Sequence, residues 1–346
     1  MHMADALISP LVGGTMWVAT AGVAAYSIKK IQNEMDEKKI PLMGVMGAFI
    51  FASQMINFTI PATGSSGHIG GGLILAILLG PYAGFLTIAS VLAIQALFFA
   101  DGGLLAYGCN VFNMGFFSCF IAYPLIYKGF MRKGTSTKLI FVASMLTAII
   151  GLQMGAFGVV LETLFSGKTE LPFGTFVLLM QPIHLAIGAV EGLVTTAIVT
   201  YIWNTRPEII EKAALGEAIG NVSIKKVVVG VVTFALITGI GLSWFASSNP
   251  DGLEWAMIKT AGTAELKAPD GLHQKLSNIQ NKTAFLPGYS FKTSKNETKE
   301  GEAAWPSVSG GTSTAGLVGG GMTLILAGLI GAGISLAKRR KTGTQS

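Results

Sequence analysis

The chain opens MHMADALISP, and its second residue is one of four histidines among 346 residues. A histidine at position 2 offers three nitrogens in succession: the terminal amine of Met1, the backbone nitrogen of His2 and its imidazole Nδ1. A metal bound to all three closes a five-membered and a six-membered chelate ring. The amine and the imidazole have reference pKa values of about 7.7–8.0 and 6.5, so both shed protons near neutrality. The amide proton leaves only for a strongly polarising ion. Ni(II) and Cu(II) are such ions, and they favour square-planar nitrogen sites. His68, in ATGSSGHIGGG, could supply the fourth corner. A plane of four nitrogens lacks the thiolates or carboxylates of a structural zinc site. A plainer reading stays open: an incidental His2 and a solvated His68. The glycines around His68 suit a loop folded around an ion or any tight turn.

What must position these residues is a membrane bundle. Half the chain (51%) is hydrophobic and only 12% is charged, about half the charge of an average soluble domain. The 45 glycines fit closely packed membrane helices, which makes the fold class all-α and polytopic. The net charge of +6 reads as basic cytoplasmic loops and excludes nucleic-acid binding. Cys109 and Cys119 lie in an apolar run as small buried hydrophobes. The first segment lacks the basic flank of a signal peptide and carries Asp5. Because histidine is not a small second residue, Met1 is expected to be retained.

Apolar segments of spanning length cover Ala6–Ile28, Pro41–Ile60, Gly103–Tyr127, Leu139–Leu161, Phe173–Trp203, Lys226–Ala246 and Ala315–Ala337. Residues Gly70–Ala100 are too long for one upright helix and are interrupted by GPYAG; they are expected to enter and return, turning near Gly80-Pro81. The positive-inside rule puts KKIQNEMDEKK (Lys29–Lys39), YKGFMRKGTSTK (Tyr127–Lys138), Asn204–Lys226 and the KRRK tail (Lys338–Lys341) in the cytoplasm. The N-terminus, the His68 loop, the ADGG turn at Ala100–Gly103 and residues 248–314 then lie outside. The result is roughly seven helices in a first module, residues 1–205. A polar, partly helical connector (206–225) comes next, and then a two-helix hairpin (226–346) around a loosely ordered external segment. That segment holds PDGLE at Pro250–Glu254 and PDGLH at Pro269–His273, read as two similar turns.

Other polar residues carry two readings each. His184 and Glu191, in QPIHLAIGAVEG, share a helix face and are either functional, as intramembrane ionisable groups often are, or a packing pair. Gln54, Asn57, Ser65 and Ser66 either support His2 or His68 by hydrogen bonds or cross-link helices. Gly44, Ala48 and Ala52 form a ridge of small residues that permits close contact with a helix of this chain or of a partner. The sequence has no HExxH, no GxSxG and no GxxxxGKS/T phosphate loop, so the chain reads as a non-catalytic subunit, and any ATP-driven step belongs to another protein.

The MH start, QMINFTIPATGSSGH and HLAIGAVEG resemble the substrate-binding S component of energy-coupling-factor cobalt/nickel transporters, the CbiM/NikM family, over about residues 1–205. PDGLE between two membrane helices resembles the small accessory N component, here fused as in NikMN-type proteins. The resemblance implies a multi-pass protein of the prokaryotic plasma membrane that works with a transmembrane coupling subunit and two ATPases. It implies metal ligation by the Met1 amine, the His2 backbone nitrogen and imidazole, and His68. It also makes the Gly44/Ala48/Ala52 ridge a contact for the coupling subunit and gives the fused hairpin a part in metal loading. His273 replaces the glutamate of the first PDGL copy, which puts a shared role in doubt. No resident cofactor is expected; the cargo is Ni(II), with Co(II) as runner-up. An ion-coupled secondary transporter should instead show inverted repeats and paired broken helices; only the Gly80-Pro81 break is present. An intramembrane metal enzyme would need a base beside the metal, with Glu162 and Glu191 as the candidates.

Overall fold

The computed structural model describes residues 1–32, 35–132, 134–269, 271–292 and 305–343. The chain is an all-α membrane protein. Ser9 accepts a hydrogen bond from Val12 N and Pro10 takes the first turn, which starts α1, Pro10–Ile31, in the way favoured at helix N-termini. After it come α2 (Lys39–Gln54), α3 (Gly72–Leu79), α4 (Pro81–Phe98), α5 (Tyr107–Met131), α6 (Thr137–Phe165) and α7 (Phe173–Thr205). The connector forms α8, Pro207–Leu215. The second module holds α9 (Lys225–Ile240), α10 (Gly252–Ala261), α11 (Leu272–Thr283) and α12 (Gly310–Gly343). Six of these, α1, α4, α5, α6, α7 and α12, are long and apolar enough to cross a bilayer.

Gly70–Ala100 folds as an interrupted pair. Gly80 joins α3 to α4 at φ +84°, ψ 160°, a conformation that only glycine adopts without strain. At about 1.5 Å per residue, eight-residue α3 is about 12 Å long and does not cross. The second apolar segment departs from its expected extent. Its helix stops at Gln54, and Phe58–Ile60 (β1) pairs antiparallel with Ser65–Gly67 (β2), Phe58 opposite Gly67. Three β-prone residues beside a Gly/Ser turn form a hairpin here in place of two more helical turns.

The described part of the segment between α9 and α12, expected to be loosely ordered, is also more ordered than its composition suggests. It contains α10 and α11. Asp251 caps α10 through the backbone N–H groups of Leu253 and Glu254, and Glu254 reaches back to Asp251 N, a reciprocal capping box. Asp270 of PDGLH and residues 293–304 lie outside the described residues.

The small-residue ridge is covered by this chain's own second module. A Cβ on Gly44 would sit 2.8 Å from Leu324 O, Ala48 lies beside Gly320, and Ala52 beside Gly239. The ridge seats α9 and α12, and a coupling subunit could not occupy the same groove. At one end of the bundle the basic loops meet the connector: Lys38 Nζ donates to Val222 O and Lys128 Nζ to Ala214 O. The N-terminus, the β-hairpin and α10 gather at the opposite end.

Candidate metal centre

The first nine residues plug the end of the bundle opposite the basic loops. Asn110 on α5 anchors them: its Oδ1 accepts from Met3 N at 2.8 Å and its Nδ2 donates to Met3 O at 3.1 Å. Asp5 Oδ1 accepts from Leu105 N and Ala106 N. Two paired backbone positions inside the protein replace the water that a free terminus would bind. As a result Met1 is buried, and its amine lies 3.5 Å from His68 Nε2 and 3.5 Å from Asp251 Oδ2. The rings of His2 and His68 stack, with centroids 4.9 Å apart and planes inclined by 24°.

The hydrogen bonds decide which imidazole nitrogen carries the proton. A backbone carbonyl can only accept, so Gln54 Nε2 must donate to Gly70 O, at 2.8 Å. Gln54 Oε1 therefore faces Gln95 Nε2, at 2.9 Å. Gln95 Oε1 is then left facing His2 Nε2, at 3.1 Å, and His2 Nε2 is the donor. Its Nδ1, the nitrogen that a chelate through the amine and amide requires, lies 3.5 Å from Asp101 Oδ1. By the same logic His68 Nδ1 donates to Ile69 O at 3.1 Å, and its Nε2 lone pair faces the Met1 amine. Burial holds both imidazoles neutral: it lowers His2, and with help from the terminal ammonium it pushes His68 down to about 3. Burial alone would raise the Asp251 carboxyl, but the terminal ammonium and the hydrogen bond from Glu254 N hold it below its ordinary range.

The His68 loop is fixed from α7. Both Glu191 oxygens accept backbone bonds, from Gly70 N at 2.8 Å and Gly71 N at 3.0 Å. His184, fully buried on the same helix, does not meet Glu191. Its Nδ1 donates to Met180 O, and its ring lines the cavity shared by Met1, His68 and Asp251. Ser65 and Ser66 turn to the second module: Ser66 N donates to Pro250 O at 2.8 Å and Ser66 Oγ to Asn249 O at 2.7 Å. Asn57 stays out of the site; its backbone carbonyl accepts from Ser247 N. Glu162 binds Asn113 Nδ2, away from the two histidines. Among the described residues no three His, Cys, Asp or Glu side chains form a metal cluster, so a site here must draw on the terminal amine or the backbone.

Sequence reasoning missed Gln95, Asp101, Asn110 and Asp251. Each carried a signal: an amide inside an apolar run for Gln95 and Asn110, and the ADGG and PDGLE turns for the two aspartates. PDGLE is more than a turn, because its cap residue Asp251 touches the terminal amine. His273 does not enter the site; its Nε2 donates to Ile8 O at 2.8 Å and pins the N-terminal segment from outside.

Residues 2–209 match the family model described as CbiM, cobalt uptake substrate-specific transmembrane region. The chain belongs to the CbiM family. Residues 225–336 match a PDGLE domain, so this is a CbiM protein with an accessory component fused behind it. A protein of Archaeoglobus fulgidus named by inference as the fused nickel transport protein NikMN is 38% identical over 220 residues, 63% of this chain and 70% of that one. A protein of Haloquadratum walsbyi named by inference as a metal transport protein is 34% identical over 61% of this chain and 93% of its own. The crystal structure of a truncated transition metal transporter superposes with a TM-score of 0.53 at 29% identity, covering 59% of this chain and 99% of that one. The chain is thus a multi-pass membrane component of transition-metal transport.

Proposed function

We propose that this CbiM protein captures Ni(II) at the outer membrane face through four nitrogens: the Met1 amine, the His2 backbone nitrogen and Nδ1, and His68 Nε2. The observation that carries the reading is the convergence of the buried Met1 amine on His68 Nε2, at 3.5 Å, beside a stacked His2 ring that Gln95 holds by Nε2 and not by Nδ1. Two nitrogens each about 2.0 Å from one ion stand about 2.8 Å apart at right angles and about 4 Å apart when opposed. A separation of 3.5 Å therefore needs only a small contraction. The hydrogen of the amine occupies the place the ion would take. Asp101 and Asp251 offset the charge of the incoming ion, and loss of the amide proton lowers it further.

Ni(II) is favoured over Co(II) because it displaces amide protons and prefers a nitrogen plane. The nickel names of fused relatives, among them the fused nickel transport protein NikMN of Rhodobacter capsulatus, support that choice; a cobalt transport protein of Geobacter sulfurreducens is 29% identical, which keeps Co(II) as the second cargo. Copper would bind still more tightly by the Irving–Williams order, so supply must exclude it. Inward release is driven by a coupling subunit and two ATPases, since the sequence has no phosphate loop of its own. The N-terminus lies outside and the basic end faces the cytoplasm, as the clustering of lysines at one end of the bundle supports.

In a nickel titration of the full chain in detergent or nanodiscs, His68→Ala weakens binding at least a hundredfold and His184→Ala far less. The opposite ranking would move the site toward α7.

A further inference from the structure

Where α7 passes α9, the two modules leave an apolar groove of about 460 Å³. Ala197 and Tyr201 of α7 form one wall, Gly230, Phe234 and Ile237 of α9 form the other, and Phe49 of α2 lies between them. Phe49 is fully buried, with its ring 5.8 Å from that of Phe234, while Phe234 is 44% and Ile237 53% exposed. The groove therefore has a floor inside the protein and a mouth open toward the bilayer. Gly230 shapes its basic end, because a Cβ there would collide with the Tyr201 hydroxyl. That hydroxyl donates to Lys226 O at 3.4 Å, at the start of α9. A tyrosine with its ring among apolar groups and its hydroxyl at a helix start marks the level of the lipid headgroups.

Three cations stand at that level. Lys225 and Lys226 are exposed in the first turn of α9. Arg206 leaves α7 beside them, its Nε donating to Ser223 O at 3.1 Å. Among the described residues no carboxylate pairs with any of the three, and neither lysine ammonium has a hydrogen-bond partner. From Lys226 to Ile237 the helix rises about 17 Å at about 1.5 Å per residue, roughly half of the ~30 Å hydrocarbon core. The groove thus has the depth of one leaflet and a positive rim at its headgroup end.

We propose that this groove binds one anionic phospholipid, with an acyl chain between α7 and α9 and the phosphate held by Lys225, Lys226 and Arg206. A helix of another protein could fill the apolar part but would leave the rim charges unanswered. A phospholipid brings the apolar chain and the anion in one molecule, and basic pockets between membrane helices suit such headgroups. The walls come from different modules, α7 from the metal-binding one and α9 from the fused one. The lipid therefore joins the hairpin to the CbiM region from the side.

The test uses the full chain in nanodiscs of equal parts phosphatidylglycerol and phosphatidylcholine, released into mild detergent for native mass spectrometry. The wild type retains one phosphatidylglycerol per chain in preference to phosphatidylcholine. A lysine near an anionic lipid is worth about fivefold in binding, so Lys225→Gln combined with Lys226→Gln lowers that retention about 25-fold. Unchanged thermal unfolding in pure phosphatidylcholine nanodiscs verifies that the double variant folds. Ala197→Phe, which fills the groove and leaves the cations in place, also displaces the lipid. Equal retention of the two lipids by the wild type, retention of neither, or undiminished phosphatidylglycerol in the double variant overturns the proposal. Undiminished phosphatidylglycerol in folded Ala197→Phe overturns the seating of the acyl chain between α7 and α9.

Discussion

Glu191 lies on α7, yet its task is to hold the loop that carries His68. Its two oxygens accept from Gly70 N at 2.8 Å and Gly71 N at 3.0 Å, and the residue is buried. Each buried N–H left without an acceptor costs about 1–3 kcal/mol. Glu191→Leu orphans both, for about 2–6 kcal/mol; Glu191→Gln keeps one acceptor oxygen and loses about half of that. The loop can escape the penalty only by leaving α7, which carries His68 away from the Met1 amine and breaks the Gly70 O end of the Gln54–Gln95–His2 chain. The cost thus appears in metal affinity as well as in stability. At about 1.4 kcal/mol per decade, the Gln variant should bind Ni(II) roughly 5- to 150-fold more weakly and the Leu variant at least as weakly. Calorimetric titration of the full chain reads the affinity, and thermal unfolding with and without Ni(II) reads the stability. Glu162→Gln, which touches Asn113 and no site histidine, serves as the control. Wild-type affinity in Glu191→Leu would refute the reasoning, because the loop would then hold its shape without α7.

Gln95→Leu removes the acceptor that keeps the His2 proton on Nε2, and loss of such an orienting partner costs about 10- to 100-fold in metal affinity; an unchanged titration would show that His2 selects its tautomer unaided. The metal-free protein should lose stability as the pH falls from about 7 to about 5. Burial holds folded His68 neutral down to about 3, while the unfolded chain takes up that proton near pH ~6.5, so proton uptake favours unfolding throughout this window. His68→Gln should flatten the fall in melting temperature, and an equally steep fall in that variant would contradict the assignment.

The spanning helices were legible because apolar length and basic loops report membrane helices directly, and the break at Gly80 was legible because only a Gly-Pro junction interrupts that run. That Met1, His2 and His68 would meet was expected from chelate chemistry, and the structure does bring the Met1 amine and the two imidazoles together. Other features depend on contacts that local patterns do not carry. Asp251 meets Met1 across 250 residues of chain, and nothing within PDGLE indicates that its capping aspartate also faces an amine. Gln95 reads as an amide in an apolar helix; its role exists only through Gln54 and Gly70 O. The polar stretch around α11 lacks the hydrophobicity of a core element, yet Gln280 ties it to Ala96 O and Gly102 O, so order comes from docking and not from composition. The Gly44/Ala48/Ala52 ridge correctly signalled a close helix contact, but a ridge does not name its partner, and the partner is the chain's own hairpin.

The free amine of Met1 is the ligand on which the proposed capture plane depends. The direct measurement is calorimetric Ni(II) titration of the full-length protein with an intact amine, with the amine acetylated, and with one residue inserted between Met1 and His2, each checked for unchanged thermal unfolding without metal. Both altered proteins should fold, and both should lose high-affinity nickel binding. Retained affinity in either folded protein would show that the amine is not a ligand.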